Sequence, residues 1–282
     1  MKRVALCVVA ALVVVLTVGV MAGCSSQSTS TAEQSQDEII AELKDAISNP
    51  PTYKSVTVTE VTESTFENDE AESDGSSTSA ANSEASTEPD VIEATTVYKF
   101  DASGDKLKTS MTAEIGDITL QYFSDGEEAV CVTDGPVYSG TTEQFDMTHF
   151  AGVEAYLENT IGDLNTLVDC IDTVTKEQQE DMTVYTLNLD PQKYIDSDET
   201  LSILADYGSP VLSAVVTLGF DQEGRIVLAD EMTEYELSSN RTTVTLADFD
   251  STVIEPMPEA DKTFDEMNAD MEAKLDELAE AL

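Results

Sequence analysis

Residues that could perform acid–base or nucleophilic chemistry are few in this chain of 282 residues. The sequence has one histidine, His149, and no tryptophan. A catalytic triad would have to use His149, but no Gly-x-Ser-x-Gly motif presents a serine nucleophile, and a histidine just before a helix has simpler roles. The sequence also has no glycine-rich phosphate loop. We therefore predict that the chain is not an enzyme and has no catalytic residue.

Metal-binding patterns are also missing from the sequence. One histidine and two cysteines of the exported domain cannot supply the three or four nitrogen and sulfur ligands of a zinc site. The acidic stretches Asp196-Ser197-Asp198-Glu199 and Asp69-Glu70 do not have the spacing of a calcium-binding EF-hand loop. We interpret them as solvated acidic surface and predict no metal and no cofactor.

The N-terminus resembles the signal peptide of a bacterial lipoprotein. Residues 1–3 are Met-Lys-Arg, residues 4–18 are uncharged and almost entirely apolar, and Met21, Ala22 and Gly23 precede Cys24, as in a lipobox. The resemblance implies cleavage after residue 23 and attachment of two acyl chains, such as palmitate, to Cys24. Two chains give stable anchoring where one does not. The alternative is an uncleaved transmembrane anchor, because residues 4–23 are just long enough to span a bilayer.

The charge of the mature chain restricts its partners. Two of the 13 basic residues lie in the signal peptide, so 11 basic residues face 57 acidic ones, a net charge of −46. Such a chain offers no basic patch for phosphates, and we predict that it does not bind nucleic acid. Anionic lipids would not attract it either, so the acyl anchor would hold it at the cell membrane, on the extracytoplasmic face.

Two cysteines remain after the signal peptide and the anchor are set aside. Cys131 and Cys170 would lie in an exported domain, where disulfides persist, so we predict a disulfide between them. Closing a loop of about 40 residues would stabilise the fold by roughly 4 kcal/mol in the chain-entropy model. The alternative is two separately buried thiols.

Hydrophobic periodicity divides the rest of the chain. Residues 24–36 form a Ser/Thr-rich tether, residues 37–48 a helix, and residues 53–63 a strand. Residues 65–89 are acidic and poor in large apolar side chains, which predicts a disordered insertion. A meander of short strands with Gly-Asp, Asp-Gly and Asp-Gly-Pro turns follows. Next come a helix over residues 153–168, a strand, an Asp190-Pro191 helix start and three closing strands.

This order of elements, together with several local motifs, resembles the LolA-like class of lipoprotein carriers, which includes the lipid-carrier lipoproteins of mycobacteria. The matching motifs are residues 39–53 running into the first strand, Gly135-Pro136-Val137-Tyr138, Val184-Tyr185-Thr186-Leu187, Phe220-Asp221-Gln222-Glu223-Gly224-Arg225 and Ile254-Glu255-Pro256. The resemblance covers residues 37–258. It implies an α+β fold with a strongly curved antiparallel sheet, an unclosed barrel, and helices covering its concave face. The insertion and the C-terminal segment depart from the family pattern.

The C-terminal segment, residues 259–282, is predicted to contain an amphipathic helix. Its stripe consists of Phe264, Met267, Met271, Leu275, Leu278 and Leu282. The helix could pack on its own domain, or form a short coiled coil with a protein partner.

Two classes of function follow for the chain. The first is an anchored binding module for a lipid or another hydrophobic molecule, held between the sheet and the 153–168 helix. The second is a surface interaction lipoprotein with a filled core and no small ligand. The residues predicted to line a ligand site are Val153, Leu157, Ile161 and Leu164 on the helix, facing Leu212, Val216 and Leu218 on the sheet.

Overall fold

The structure is a computed structural model that describes residues 34–66, 90–116, 118–133, 135–145 and 152–281. The predicted signal peptide, Cys24, residues 24–33 of the tether, residues 67–89 of the predicted insertion and His149 lie outside the described residues. Among the helices that the structure describes, none is both long and apolar enough to cross a membrane.

One large sheet dominates the fold. Its strands are β1 (Ser55–Phe66), β2 (Asp90–Asp101), β3 (Lys108–Ile115), β4 (Ile118–Ser124), β5 (Glu128–Val132), β6 (Val137–Thr141), β7 (Ile171–Gln179), β8 (Met182–Leu189), β9 (Ser213–Asp221), β10 (Ile226–Glu234), β11 (Ser238–Ala247) and β12 (Lys262–Thr263). They lie in the order β12-β6-β5-β4-β3-β2-β1-β11-β10-β9-β8-β7. Among the strands that the structure describes, only β12 and β6 pair in parallel. The two ends of the order do not pair with each other, which confirms the predicted antiparallel, unclosed sheet.

Six helices accompany the sheet within the described residues. They are α1 (Gln36–Ser48), α2 (Val153–Ile161), α3 (Leu164–Asp169), α4 (Pro191–Ser197), α5 (Glu199–Asp206) and α6 (Phe264–Ala281). The helix predicted over residues 153–168 is therefore two helices. The chain breaks at Gly162, where φ is +89°, a conformation that glycine adopts without steric cost. Asp163 then caps α3 by accepting a hydrogen bond from Asn165 N at 3.0 Å.

The core lies on one face of the sheet, which we call the inner face. In β1 this face carries Val56 and Val58, which are fully buried, and then Glu60. The alternation follows from the period of two along a strand. Side chains of α1 to α5 pack against the inner face; those from the first four helices include Leu43, Tyr156, Leu167 and Ile195. The fold is therefore a sheet with one face covered by helices.

Strand β1 joins two antiparallel meanders into one sheet. It pairs with β2 on one side and with β11 on the other, from Thr57 opposite Ala247 to Phe66 opposite Ser238. The Ser64 hydroxyl donates to Asn240 Oδ1 at 2.7 Å across this junction. Strands β2 to β6 lie on one side of β1, and β7 to β11 lie on the other.

The C-terminal segment packs on its own domain. The short strand β12 pairs with β6 at Lys262–Tyr138 and Thr263–Ser139. The Phe264 ring at the start of α6 lies 5.0 Å from that of Phe145. Asp270 accepts from the Tyr138 hydroxyl at 2.9 Å and from Lys262 at 2.6 Å. The first half of α6 is thereby fixed to the domain.

The predicted disulfide is not formed in the structure. Cys131 and Cys170 are both buried free thiols. Cys131 lies in β5, and Cys170 lies between α3 and β7, the last strand at the other end of the sheet order. Eight strands separate β5 from β7 in that order, which is why two cysteines of one compartment do not meet. An even number of cysteines and an exported location, on which the prediction was based, contain no information about this separation.

Candidate functional site

A cleft of about 710 Å³ opens between the helices and one end of the sheet. Its apolar walls come from α1, the α1–β1 connection, β1, β2 and α2, through Ile47, Tyr53, Val56, Phe100, Val153 and Leu157. This volume lies within the range of about 300–1,000 Å³ that is usual for small-molecule sites. The end of the sheet that it occupies carries the β2–β3 and β9–β10 turns, and we call it the cleft end.

Local sequence signals fix α1, one wall of the cleft. Its N-terminus has a capping box, in which Ser35 N donates to Glu38 Oε2 at 2.9 Å and Glu38 N donates to Ser35 Oγ at 3.4 Å. Pro50 and Pro51 follow its last turn, where proline cannot continue a helix. The Lys176–Glu42 ion pair at 2.5 Å joins α1 to β7. The helix is held at both its start and its middle.

Helix α2, the opposite wall, is held by a buried tyrosine. The Tyr156 hydroxyl donates to Glu60 Oε2 at 2.5 Å. The Tyr156 ring lies 4.6 Å from that of Tyr98 and 6.2 Å from that of Phe100. Burial raises the pKa of Glu60, and the hydrogen bond from Tyr156 opposes that rise. Burial and the charge of Glu60 together raise the pKa of Tyr156, so the phenol remains a neutral donor.

A second tyrosine–glutamate pair holds α4 on the same face. The Tyr194 hydroxyl donates to Glu231 of β10, and the Thr233 hydroxyl donates to the same carboxylate at 3.1 Å. Burial raises the pKa of Glu231, and the two hydrogen bonds oppose it. Each pair joins one helix to one strand through a carboxyl group within a largely apolar face. These glutamates therefore serve as attachment points for helices.

Two aromatic rings and an arginine pack together beside the cleft. The Tyr53 ring meets that of Phe249 edge-on at 5.0 Å, and the Arg225 guanidinium lies 4.4 Å from the centre of the Phe249 ring. Arg225 also pairs with Asp221 at 2.6 Å and with Glu223 at 3.0 Å. Burial, with a smaller contribution from the charge of a nearby glutamate, raises the pKa of Tyr53 to about 12. The carboxylates of Asp221 and Glu223 neutralise the charge of Arg225.

The structure places three of the seven predicted ligand-site residues in the cleft. Val153, Leu157 and Leu164 line the cleft. Val216 and Leu218 do not line it: they are 0% and 1% exposed and lie in the core of the sheet. Leu212 is 55% exposed at the opposite end of the sheet. The Ile161 side chain lies outside the part of the chain that the structure describes.

Two small residues, one in α2 and one directly after it, also line the cleft. Ala155 and Gly162 both belong to its lining. Neither fills the space that a larger side chain would occupy between α2 and the α1–β1 connection. The room in the cleft therefore depends partly on these two positions.

One acidic segment has a structural role. Asp198 caps α5 by accepting from Thr200 N at 2.7 Å and Leu201 N at 3.0 Å. Asp196 accepts from the Gln192 amide at 2.8 Å. Asp198 thus binds the start of α5, and Asp196 binds a side chain within its own helix α4. Asp69 and Glu70 lie outside the described residues.

The sequence analysis did not single out Glu60 or Glu231. A signal was present in β1, because Glu60 continues the inward alternation of Val56 and Val58. A glutamate at an inward position of an otherwise apolar and Thr-rich strand needs a hydrogen-bond donor. That donor is Tyr156, which the sequence analysis included only as part of the predicted 153–168 helix.

The arrangement favours non-covalent binding of an apolar molecule. The walls supply apolar and aromatic surface. The lining also contains five charged residues, Lys54, Glu154, Glu158, Asp163 and Arg225. The buried tyrosines Tyr156 and Tyr194 have raised pKa values and already donate to carboxylates.

Comparison with known proteins gives structural similarities only. No protein-family model matches the chain, and no curated protein matches its sequence. The fold is similar to that of LprF from Mycobacterium bovis, with 12% identity, a TM-score of 0.42 and coverage of 79% of this chain and 98% of that one. It is also similar to lipoprotein LppX from Mycobacterium tuberculosis, with 13% identity, a TM-score of 0.39 and coverage of 78% and 99%. A DUF1329 family protein from Desulfovibrio piger matches with 11% identity, a TM-score of 0.27 and coverage of 79% and 96%.

Proposed function

We propose that this chain is an extracytoplasmic lipoprotein whose cleft binds a lipid or another hydrophobic molecule. The observation that carries the proposal is the cleft itself, about 710 Å³ of space with apolar walls between the helices and the sheet. Burial of apolar ligand surface is worth about 25 cal/mol per Å² before the costs of association. Walls formed by Tyr53, Val56, Phe100 and Leu157 would supply that contact.

The sharpest test replaces Ala155 with tryptophan. This residue lines the cleft and is half-buried, so the large side chain should occupy ligand space with little overpacking of the core. Ala41→Trp is the matched control, because Ala41 lies on the exposed side of α1. We expect native mass spectrometry of the wild type and of Ala41→Trp to show a co-purified lipid, and Ala155→Trp to lose it.

A deeper substitution separates the two functional classes. Leu157 is 8% exposed and belongs to both the cleft wall and the core. In a carrier, Leu157→Trp should reduce lipid binding with little change in melting temperature. In a lipoprotein with a filled core it should cost about 1–3 kcal/mol by overpacking. A wild-type chain that binds no lipid and no hydrophobic probe would leave only the interaction lipoprotein.

The anchor is tested separately. Cys24→Ala should abolish acyl labelling and membrane retention while the circular dichroism of the domain is unchanged. The reason is that the acyl chains would be lost without any change in the folded part. If the variant stays in the membrane fraction and the wild type is not processed, the uncleaved transmembrane anchor replaces this proposal.

A further inference from the structure

Large exposed hydrophobic side chains are concentrated at one end of the sheet. Seven of the eleven found among the described residues lie at the end opposite the cleft or in the α5–β9 connection that reaches it, and we call them the apolar rim. The rim consists of Val91, Ile92, Ile115, Ile118, Tyr207, Leu212 and Leu237. Scattered exposed apolar residues are normal, but a concentration of this kind marks a contact surface.

The strand register places five of these residues at one end of the sheet, namely Val91, Ile92, Ile115, Ile118 and Leu237. Val91 pairs with Thr65 near the end of β1, and Ile115 pairs with both Ala94 and Ile118 at the β3–β4 turn. Leu237 lies in the β10–β11 turn, next to Ser238, which pairs with the last residue of β1.

The α5–β9 connection reaches the same end. Leu212 N donates to the carbonyl of Glu234, the last residue of β10, at 2.8 Å. Tyr207, five residues earlier at the end of α5, is 87% exposed.

The chain enters the domain beside edge strand β7, in the half of this strand that is nearer the rim end. The Gln36 side chain accepts a hydrogen bond from Val174 N of edge strand β7 at 3.0 Å. Val174 is three residues from Ile171, where β7 begins opposite Leu189 at the rim end. If Cys24 carries the anchor, as the proposed function holds, the residues between it and Gln34 span at most about 35 Å. A domain on so short a tether keeps its entry side close to the bilayer.

Charge distinguishes a lipid surface from a second copy of the chain. Glu93, Glu114, Glu234 and Glu236 are exposed beside the rim, and the mature chain as a whole is strongly acidic. Two rims brought together would therefore repel each other. A zwitterionic lipid surface has no net charge to repel them and takes up aliphatic and tyrosine side chains at its interface.

We propose that the apolar rim is a second contact site, which docks the domain onto a zwitterionic lipid surface with the cleft end facing away from the bilayer. This proposal rests on the proposed anchor at Cys24 and adds an orientation to it. The rim side chains would enter the interfacial region while the cleft stays open to solvent.

The chain contains no tryptophan, so a single introduced tryptophan can report the orientation. The full acylated chain carrying Tyr207→Trp is reconstituted into phosphatidylcholine vesicles, with and without brominated phosphatidylcholine. The control is Val253→Trp, since Val253 is 68% exposed at the cleft end, next to Thr252, whose amide donates to Ser55 Oγ. If the side chain at position 207 enters the interface to a depth of about 5–10 Å, the brominated lipid should quench about half of the tryptophan fluorescence. The control should keep its emission.

Each outcome separates docking from anchoring. Vesicle flotation with selective quenching at position 207 supports docking, and adding Ile118→Ser and Leu237→Ser should then reduce the quenching. Flotation with equal or no quenching at the two positions overturns the docking proposal and leaves the anchor intact. A chain that does not float overturns the anchor, and docking with it. Shielding at position 207 that depends on protein concentration but not on bromolipid identifies a second copy as the partner and overturns the lipid surface.

Discussion

Replacing Tyr156 with phenylalanine tests whether its bond to Glu60 holds α2 on the sheet. The variant keeps the ring and its contacts with Tyr98 and Phe100, and removes only the hydroxyl that donates to Glu60 at 2.5 Å. A hydrogen bond to a charged group contributes about 1.5–3 kcal/mol to the free energy of unfolding, and one between neutral groups about 0.5–1.5 kcal/mol. The cost of the variant therefore depends on whether Glu60 is ionised.

The pH dependence follows from the raised pKa of Glu60. Burial lifts this pKa above its ordinary value of 4.5 in the folded protein, and the Tyr156 hydroxyl limits the rise. A raised folded-state pKa contributes stability that is fully present below the unfolded pKa and is lost as pH rises through the folded pKa. Removing the hydroxyl raises the folded pKa of Glu60 further and increases that loss. We expect the variant to cost about 0.5–1.5 kcal/mol at about pH 4 and about 1.5–3 kcal/mol at about pH 8.

Thermal unfolding followed by circular dichroism measures both values. For a domain of this size, 1 kcal/mol shifts the melting temperature by about 2–4 °C, so the variant should melt about 3–12 °C below the wild type at about pH 8 and about 1–6 °C below it at about pH 4. Tyr207→Phe is the negative control, because Tyr207 is 87% exposed. In a Glu60→Gln background, the pH dependence of the Tyr156→Phe effect should disappear. An equal loss at both pH values would refute the assigned role of the pair.

Three further predictions concern the thiols, one glycine and the sheet edge. Cys131 and Cys170 should resist a thiol reagent in the folded protein and both react after unfolding without reductant; no reaction would mean that a disulfide forms. Gly140→Ala should destabilise the domain by about 1–3 kcal/mol, because its Cβ would lie 2.8 Å from a phenylalanine ring. Gly135→Ala, whose Cβ would make only an ordinary contact with Thr133 Oγ1 at 3.8 Å, is the control for the same unfolding assay. Deleting residues 262–282 should uncover the β6 edge and produce oligomers in light scattering; a monomeric deletion variant would show that the edge needs no cover.

Much of the fold could be predicted because its signals are local. Turn residues predicted the β3–β4 and β4–β5 hairpins, and the Asp190-Pro191 pair predicted the start of α4, where Asp190 does accept from Gln192 N and Lys193 N at 3.0 Å. Strand β7 was missed. As an edge strand it buries only Ile171 and Val174 along its length, so the alternation that predicts a strand is weak.

The candidate site could be predicted on its helix side only. Helical spacing selected Val153, Leu157 and Leu164, which line the cleft. The facing residues were taken from the alternating apolar face of the predicted strand at residues 212–220, and Val216 and Leu218 pack in the core. Pairing between distant strands determines which strand residues face α2, and no local sequence pattern predicts that pairing.

The pairing of β1 with β11 has a consequence for how the chain folds. Its paired residues are between 172 and 190 positions apart, from Phe66–Ser238 to Thr57–Ala247. Each meander has mostly neighbouring contacts and can form early, whereas this junction must close a very long loop before it gains stabilising contacts. We therefore expect two partly ordered halves to precede a slow final step. Until that step, β1 and β11 both present unpaired backbone, which makes the half-folded chain the state most open to aggregation.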